Sequence, residues 1–403
     1  MSIPPRQELL EHCAQALLDG TPPEQQTEPV RAFLAALGYA HAPASAAPGD
    51  NPLHHARLLR AAAGFSRLFQ LRSPDAPGLV FFGAQVAPAA VAPGGQGQRP
   101  LPASGVGPTL REAFEGCVGE GIEHLSQFER TDDRLVRATI SQAGHAAAMA
   151  TEECIVLLAQ SGLPPTTSLD WIVARRLPDG QERLFPADIC LRRHQGRVLR
   201  PSWPLSLGCA AGVSFEAAAL HALLELIERD AAALWWRGGV RGHLIPIDHA
   251  ASRHAMETLA SARGDAGRRR TWLLDISTDL RIPCVAAMSV DSDGQGFACG
   301  LAARLNLAGA ASAAVLELCQ MELAHHVVAA KRHEGGDQAL NAVDLGHLRR
   351  GCELNPRDCA LLHPLPPRNE GAATDPPASL RQLLAHLAAA QIETFAVDLT
   401  RPA

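Results

Sequence analysis

In three stretches of the chain an alanine stands seven positions ahead of a glutamate, and a second polar group follows three positions after it. These are Ala113 with Glu120 and Glu123, Ala218 with Glu225 and Glu228, and Ala310 with Glu317 and Gln320. Seven and three residues are close to two turns and one turn of α-helix, so each stretch predicts a helix with its polar groups on one face. The second helix is apolar almost all round, with Leu223, Leu224, Leu226 and Ile227 beside its acids. A glutamate pair on a helix is ordinarily a solvated surface. Acids on a helix this apolar are not freely solvated, and unpaired buried carboxylates need a cation. Three recurrences of one frame therefore point to carboxylates gathered around a divalent metal and a polyphosphate.

Other patterns set these helices in an order. Residues 1–85 read as a small mixed unit that could recognise a partner, with helices at 6–18, 28–38 and near 54–63 and a strand-like run at 78–83. A loop at 41–51 falls between the second and third helices. Residues 86–108, rich in Pro, Gly and Ala, read as a linker. Thr109-Leu-Arg-Glu112 is a capping box that starts the first acidic helix. Two strands, 168–175 and 182–192, flank the turn Pro178-Asp-Gly180. Gly208-Cys-Ala-Ala-Gly212 leads to Ser214, an N-cap for the second acidic helix. Strands at 271–276 and 283–290 precede the third polar helix, which follows Ala298-Cys-Gly-Leu-Ala302. A loop at 363–377, a helix at 379–390 and a strand at 393–400 complete the chain. The recurrence of strand, strand and helix predicts an α/β (α+β) fold of related units, with 109–403 as its main domain. Because the chain stops so soon after a strand, a truncated C-terminus is expected.

Composition narrows the function. The chain has 403 residues, almost half of them hydrophobic, and no run approaches the length of a membrane span. Its start lacks the apolar core of a secretory signal, so a cytoplasmic location without membrane association is expected. A formal charge of -6 argues against a nucleic-acid surface, and Arg268 to Arg270 read as a solvated loop or helix end. The ten cysteines include no Cys-x-x-Cys pair and read as core thiols. His325 and His326, adjacent and so turned apart on a helix, read as surface or satisfied histidines. Neither a P-loop nor a Gly-x-Ser-x-Gly elbow is present. Oxygen ligands of this kind suit magnesium, which binds phosphates together with one or two carboxylates.

The segment Ser206-Leu-Gly-Cys-Ala-Ala-Gly-Val-Ser-Phe-Glu through Glu225-Leu-Ile-Glu-Arg-Asp230 to Trp235-Trp236 resembles the central motif of YcaO proteins. The first and third acidic helices fall where that family has its other two motifs, and the likeness covers roughly residues 100–400. It implies a YcaO-type fold around a central ATP site without a P-loop, with magnesium held by glutamates. Carried over by position, Glu120, Glu123, Glu225 and Glu228 are the expected metal ligands. Glu225, Arg229, Glu317 and Gln320 are the expected contacts to ATP. The resemblance implies phosphorylation of a peptide-bond oxygen and attack by a Cys, Ser or Thr of a ribosomally made precursor peptide, giving thiazoline or oxazoline. A partner that binds the peptide's leader is also implied, and a homodimer is left open. Thioamide or amidine formation, or a non-catalytic scaffold, are the alternatives. The chain departs from the family's pattern at Gly116, His124, Val213 and Ala217, and lacks the proline-rich tail. Asp230 is placed to orient Arg229 or to lie on the surface, and the two tryptophans read as core.

Overall fold

The computed structural model describes residues 7–39, 51–88, 99–145, 152–193, 196–201, 204–246, 248–266, 268–368 and 377–401. Helices α1 (Gln7–Leu18), α2 (Glu28–Ala36) and α3 (Pro52–Ala63) come first, close to the expected bounds. Most of the loop expected at 41–51 lies outside the described residues. Strands β1 (Arg67–Leu71), β2 (Val80–Val86) and β3 (Leu101–Gly107) then form an antiparallel sheet in that order. Helix α4 (Leu110–Ser126) follows, opened by the expected capping box, in which the Thr109 and Glu112 side chains each bond the other's backbone N–H.

Contrary to expectation, 86–108 is not a linker throughout. Leu101–Gly107 is a strand paired along its length with β2, and only 89–98 lie outside the described residues. Nor do the first 85 residues keep a core of their own. Leu10, Leu34, Leu59 and Phe82 share one apolar cluster with Val86, Ala103, Phe114, Cys117 and Val118. The alternation of β2 explains this: Phe82 faces α1–α4 while Phe81 points into the next cluster, beside α9 and α10 described below. Small residues in 101–107, which resemble linker composition, instead let α4 lie close. A Cβ at Gly105 would stand 2.1 Å from the Ala113 carbonyl oxygen.

A second sheet holds β4 (Leu135–Thr139), β5 (Ser168–Arg176) and β6 (Glu182–Pro186), with α5 (Ile140–His145) and α6 (Glu152–Gln160) between its first two strands. The strand expected over 182–192 ends at Pro186, and Ala187–Cys190 forms a helical turn, α7. The turn places the buried Asp188 carboxylate to accept from the Val198 and Leu199 N–H groups, each at 2.8 Å. Helix α8 (Phe215–Trp236) is capped by Ser214, as expected.

The third sheet is β7 (His243–Ile245), β8 (Arg270–Asp275), β9 (Cys284–Val290) and β10 (Ala298–Ala303), in the order β10-β9-β8-β7. Every residue of β9 is buried because helices cover both faces. Val285 and Ala287 face α9 (Ala250–Arg263) and α10 (Leu307–Gly335). Ala286 and Met288 face Leu224, Ile227 and Trp235 of α8 and Leu383 of α12 (Leu380–Ala389), which follows α11 (Ala342–Glu353). The chain thus adopts the expected mixture of helix and sheet. All pairings between named strands are antiparallel among the described residues, which sets it on the α+β side.

Among the described residues α10 is the one helix long and apolar enough to cross a bilayer. Here it packs on β10 with Ala310, Ala311, Ala314 and Leu318 buried, and it carries Glu317 and Glu322. The expected strand at 393–400 is confined to β11 (Phe395–Ala396), which pairs with Arg175 and Arg176 of β5. Of the expected loop at 363–377, residues 369–376 lie outside the described residues, and Leu365 bonds the edge of β7 through Gly242 and Leu244. Arg269 is not solvated: it and Arg263 donate to Oε1 of the buried Glu322 at 3.0 and 2.7 Å. His326 pairs with Asp75 at 2.8 Å, as a satisfied histidine.

Candidate active site

The three acidic helices meet. α4, α8 and α10 turn Glu120, Glu123, Glu225, Glu228 and Glu317 toward one cavity of about 450 Å³, with Arg229 and Arg304 on its wall. The i, i+3 spacing on α4 and α8 brings each glutamate pair onto the face that looks inward. Of the expected ATP contacts, Glu225, Arg229 and Glu317 line this cavity, whereas Gln320 does not. Its Nε2 donates to the Ser104 Oγ at 2.5 Å.

Each glutamate is fixed by a main-chain donor from a strand or loop. Oε2 of Glu120 accepts from the Ser104 N–H at 2.8 Å and from its hydroxyl at 3.1 Å. Oε1 of Glu123 accepts from Ala211 at 2.9 Å, and Oε2 of Glu225 from Gly208 at 3.1 Å. Gly208 has φ 73, a left-handed conformation that glycine adopts at little cost and that helps aim its N–H at the carboxylate. Oε2 of Glu228 accepts from Ala303 at 3.3 Å, and Glu317 is held by the Leu301 backbone. Such anchoring leaves the second oxygen of Glu120 and of Glu123 without a hydrogen-bond partner among the described residues.

Charge in the cavity is unbalanced. Arg229 lies 3.7 Å from Glu225 and 3.6 Å from Glu228, too long for a tight pair, and its side chain is 46% exposed. Burial raises the proton affinity of all five glutamates. Desolvation, with Glu120 and Glu225 nearby, pushes Glu123 up to about 7. Desolvation and the charge of Glu317 push Glu228 up to about 7 as well. His124, half-buried on the wall, and His221, on its exposed rim, are held below the usual histidine range by partial desolvation and by Arg192 and Arg304 respectively. The cavity therefore disfavours its own full ionisation and favours a multivalent cation.

The donors fit magnesium with a polyphosphate. They are hard oxygens, and among the described residues no three acidic, His or Cys side chains draw together into an all-protein metal cage. Paired carboxylates with open oxygens are what Mg²⁺ takes when phosphates complete its shell. Ser104, Ser206, Cys209, His221 and Arg304 were not singled out as site residues by sequence reasoning. Ser104 sat in the expected linker, and Arg304 carries no motif beyond its place just ahead of Asn306, the N-cap of α10. The thiol of Cys209, pushed up to about 11 by burial, is a wall rather than a nucleophile. Of the tryptophans expected in the core, Trp235 is buried and donates to the Leu361 carbonyl at 3.0 Å, but Trp236 is 40% exposed. Asp230 is exposed on α8.

Comparison with known proteins supports the same site class. A family model described as YcaO cyclodehydratase, ATP- and Mg²⁺-binding, matches residues 104–403. Among solved structures, the chain is similar to a heterocyclase in complex with substrate and cofactor (TM-score 0.64, 22% identity). The match covers 84% of this chain but 48% of the heterocyclase, so the chain spans about half that protein's length. It is also similar to YcaO from Methanopyrus kandleri bound with AMPPCP and Mg²⁺ (TM-score 0.56, 18% identity, covering 84% and 82% of the two chains). A third likeness is to the E. coli microcin synthetase McbBCD complex with pro-MccB17 bound (TM-score 0.54, 17% identity, 71% of each chain). At these identities the likeness is one of fold.

Proposed function

This chain belongs to the YcaO family, and from that premise we propose that it activates a backbone amide in a ribosomally made precursor peptide. The product would be a thiazoline or oxazoline, closed from a Cys, Ser or Thr side chain onto the preceding carbonyl. The observation that carries this reading is the cavity in which five glutamates from three helices face two arginines. Such a site is poorly suited to a bare anion and well suited to an anion that arrives with divalent cations.

Bound ATP and Mg²⁺ would supply the phosphoryl group that turns the amide oxygen into a leaving group, and the charge that neutralises it. Glu120, Glu123, Glu225 and Glu228 are the residues we assign to the cation, through the oxygens that their backbone donors leave open. Arg229 and Arg304, which line the same cavity, are the residues we assign to the phosphate oxygens as N–H donors. Glu317 completes the acidic wall from α10. The nucleophile comes from the peptide, in keeping with a cavity that contains Cys209 only as a protonated thiol. A leader-binding partner protein is proposed alongside, in line with the multi-component synthetase solved with pro-MccB17.

The test is to incubate the chain and its partner with ATP, Mg²⁺ and a short Cys/Ser/Thr-rich peptide encoded nearby. Loss of one water per ring, dependent on both ATP and Mg²⁺, is the expected mass change. Exchange of oxygen for sulfur would mean thioamide formation. Nucleotide binding with no change in any peptide would mean a binding protein.

A further inference from the structure

The five cavity glutamates each lean on a main-chain N–H, but Glu120 alone among them also accepts from a side-chain hydroxyl. That hydroxyl belongs to Ser104 on β3 and is itself held by Gln320 on α10, 216 residues away in sequence. A serine hydroxyl has one proton to give. With the Gln320 amide donating to Oγ, the proton is free to point at Glu120, and both Ser104 donors converge on Oε2. The first and third acidic helices are thereby joined through a strand that neither contains.

We propose that Ser104 and Gln320 act as one positioning relay for the cation site, Gln320 setting the direction of the Ser104 hydroxyl and Ser104 fixing the Glu120 carboxylate. In this assignment, which rests on the magnesium-nucleotide reading of the cavity, Gln320 contributes without touching the nucleotide. Its absence from the cavity wall, where Glu317 one turn earlier does appear, is the geometric ground for separating the two. The arrangement also explains why an amide suits position 320. A carboxylate there would compete with Glu120 for the hydroxyl proton and place another negative charge beside an already crowded acidic wall.

The relay makes a demand that direct contact does not. Binding of a non-hydrolysable ATP analogue would be titrated against Mg²⁺ for wild type, Ser104→Ala, Gln320→Ala, their double variant, Ser104→Thr and Gln320→Glu. Losing the relay should raise the Mg²⁺ concentration for half-saturation about tenfold in each alanine variant. The double variant should be no worse than either single one, because both cut the same path. Ser104→Thr, which keeps the hydroxyl, should stay within about twofold of wild type, and Gln320→Glu should be at least as weak as Gln320→Ala. Melting temperatures of the nucleotide-free proteins report folding separately. Additive losses in the double variant, or a Ser104→Ala protein that binds as wild type does, would overturn the relay while leaving the cavity assignment standing. Wild type that binds no nucleotide with Mg²⁺ would remove the cavity assignment itself.

Discussion

Glu228 is buried to 7% exposure, with one backbone donor and an arginine no nearer than 3.6 Å. Its carboxylate is therefore costly to ionise in the nucleotide-free protein, and the same holds for Glu123. Both folded groups titrate near 7, above the ordinary value of 4.5. The stability they contribute is whole below pH 4.5 and is lost as pH rises through about 7, because the folded chain keeps protons that the unfolded chain has released. Melting curves from pH 5 to 8 should show the nucleotide-free wild type losing more stability than Glu123→Gln/Glu228→Gln over that interval. Parallel curves would show that the two carboxylates are not desolvated as described. Glu228→Gln alone should raise the melting temperature at pH 8 and weaken magnesium-nucleotide binding about tenfold or more, the trade expected of a strained functional acid. A variant destabilised at pH 8 would mean that Glu228 serves the fold.

The helices were readable because their signals are local. Thr109 and Ser214 cap α4 and α8 as their sequences indicate, and the glutamate frame repeats within each helix. β3 was not readable, because what makes Leu101–Gly107 a strand is its pairing with β2 and its contact with α4. Its small residues look like a linker until the helix is placed against them. The same construction recurs where Gly300 of β10 meets α10: a Cβ there would stand 2.2 Å from the Leu318 nitrogen. Gly105→Ala and Gly300→Ala should therefore each push a helix off its strand and cost about 3 kcal/mol in denaturant unfolding. Unchanged midpoints would show that the helices tolerate a wider spacing than this packing implies. The Pro186 boundary was hidden for a related reason: the turn at Ala187–Cys190 is fixed by what Asp188 and Leu191 pack and bond with elsewhere.

At the scale of the molecule, the site is a convergence of three helices, α4 packed on the first sheet and α8 and α10 on opposite faces of the third. The sequence located the glutamates, because each pair shares a helix face. It did not locate Ser104 or Arg304 as parts of the site, nor Arg269 as an interior residue. Ser104 and Arg269 find their partners 216 and 53 residues away in sequence, through separate elements. On the function proposed above, α4, α8 and α10 jointly hold magnesium with ATP. Calorimetric titration of a non-hydrolysable ATP analogue, with Mg²⁺ and with a chelator, on wild type, Glu120→Gln, Glu225→Gln and Glu317→Gln tests it directly. Binding that requires Mg²⁺ and falls about tenfold or more in each variant, with folding intact, is the predicted result. Tight binding that survives the chelator, or that is indifferent to all three substitutions, would contradict it.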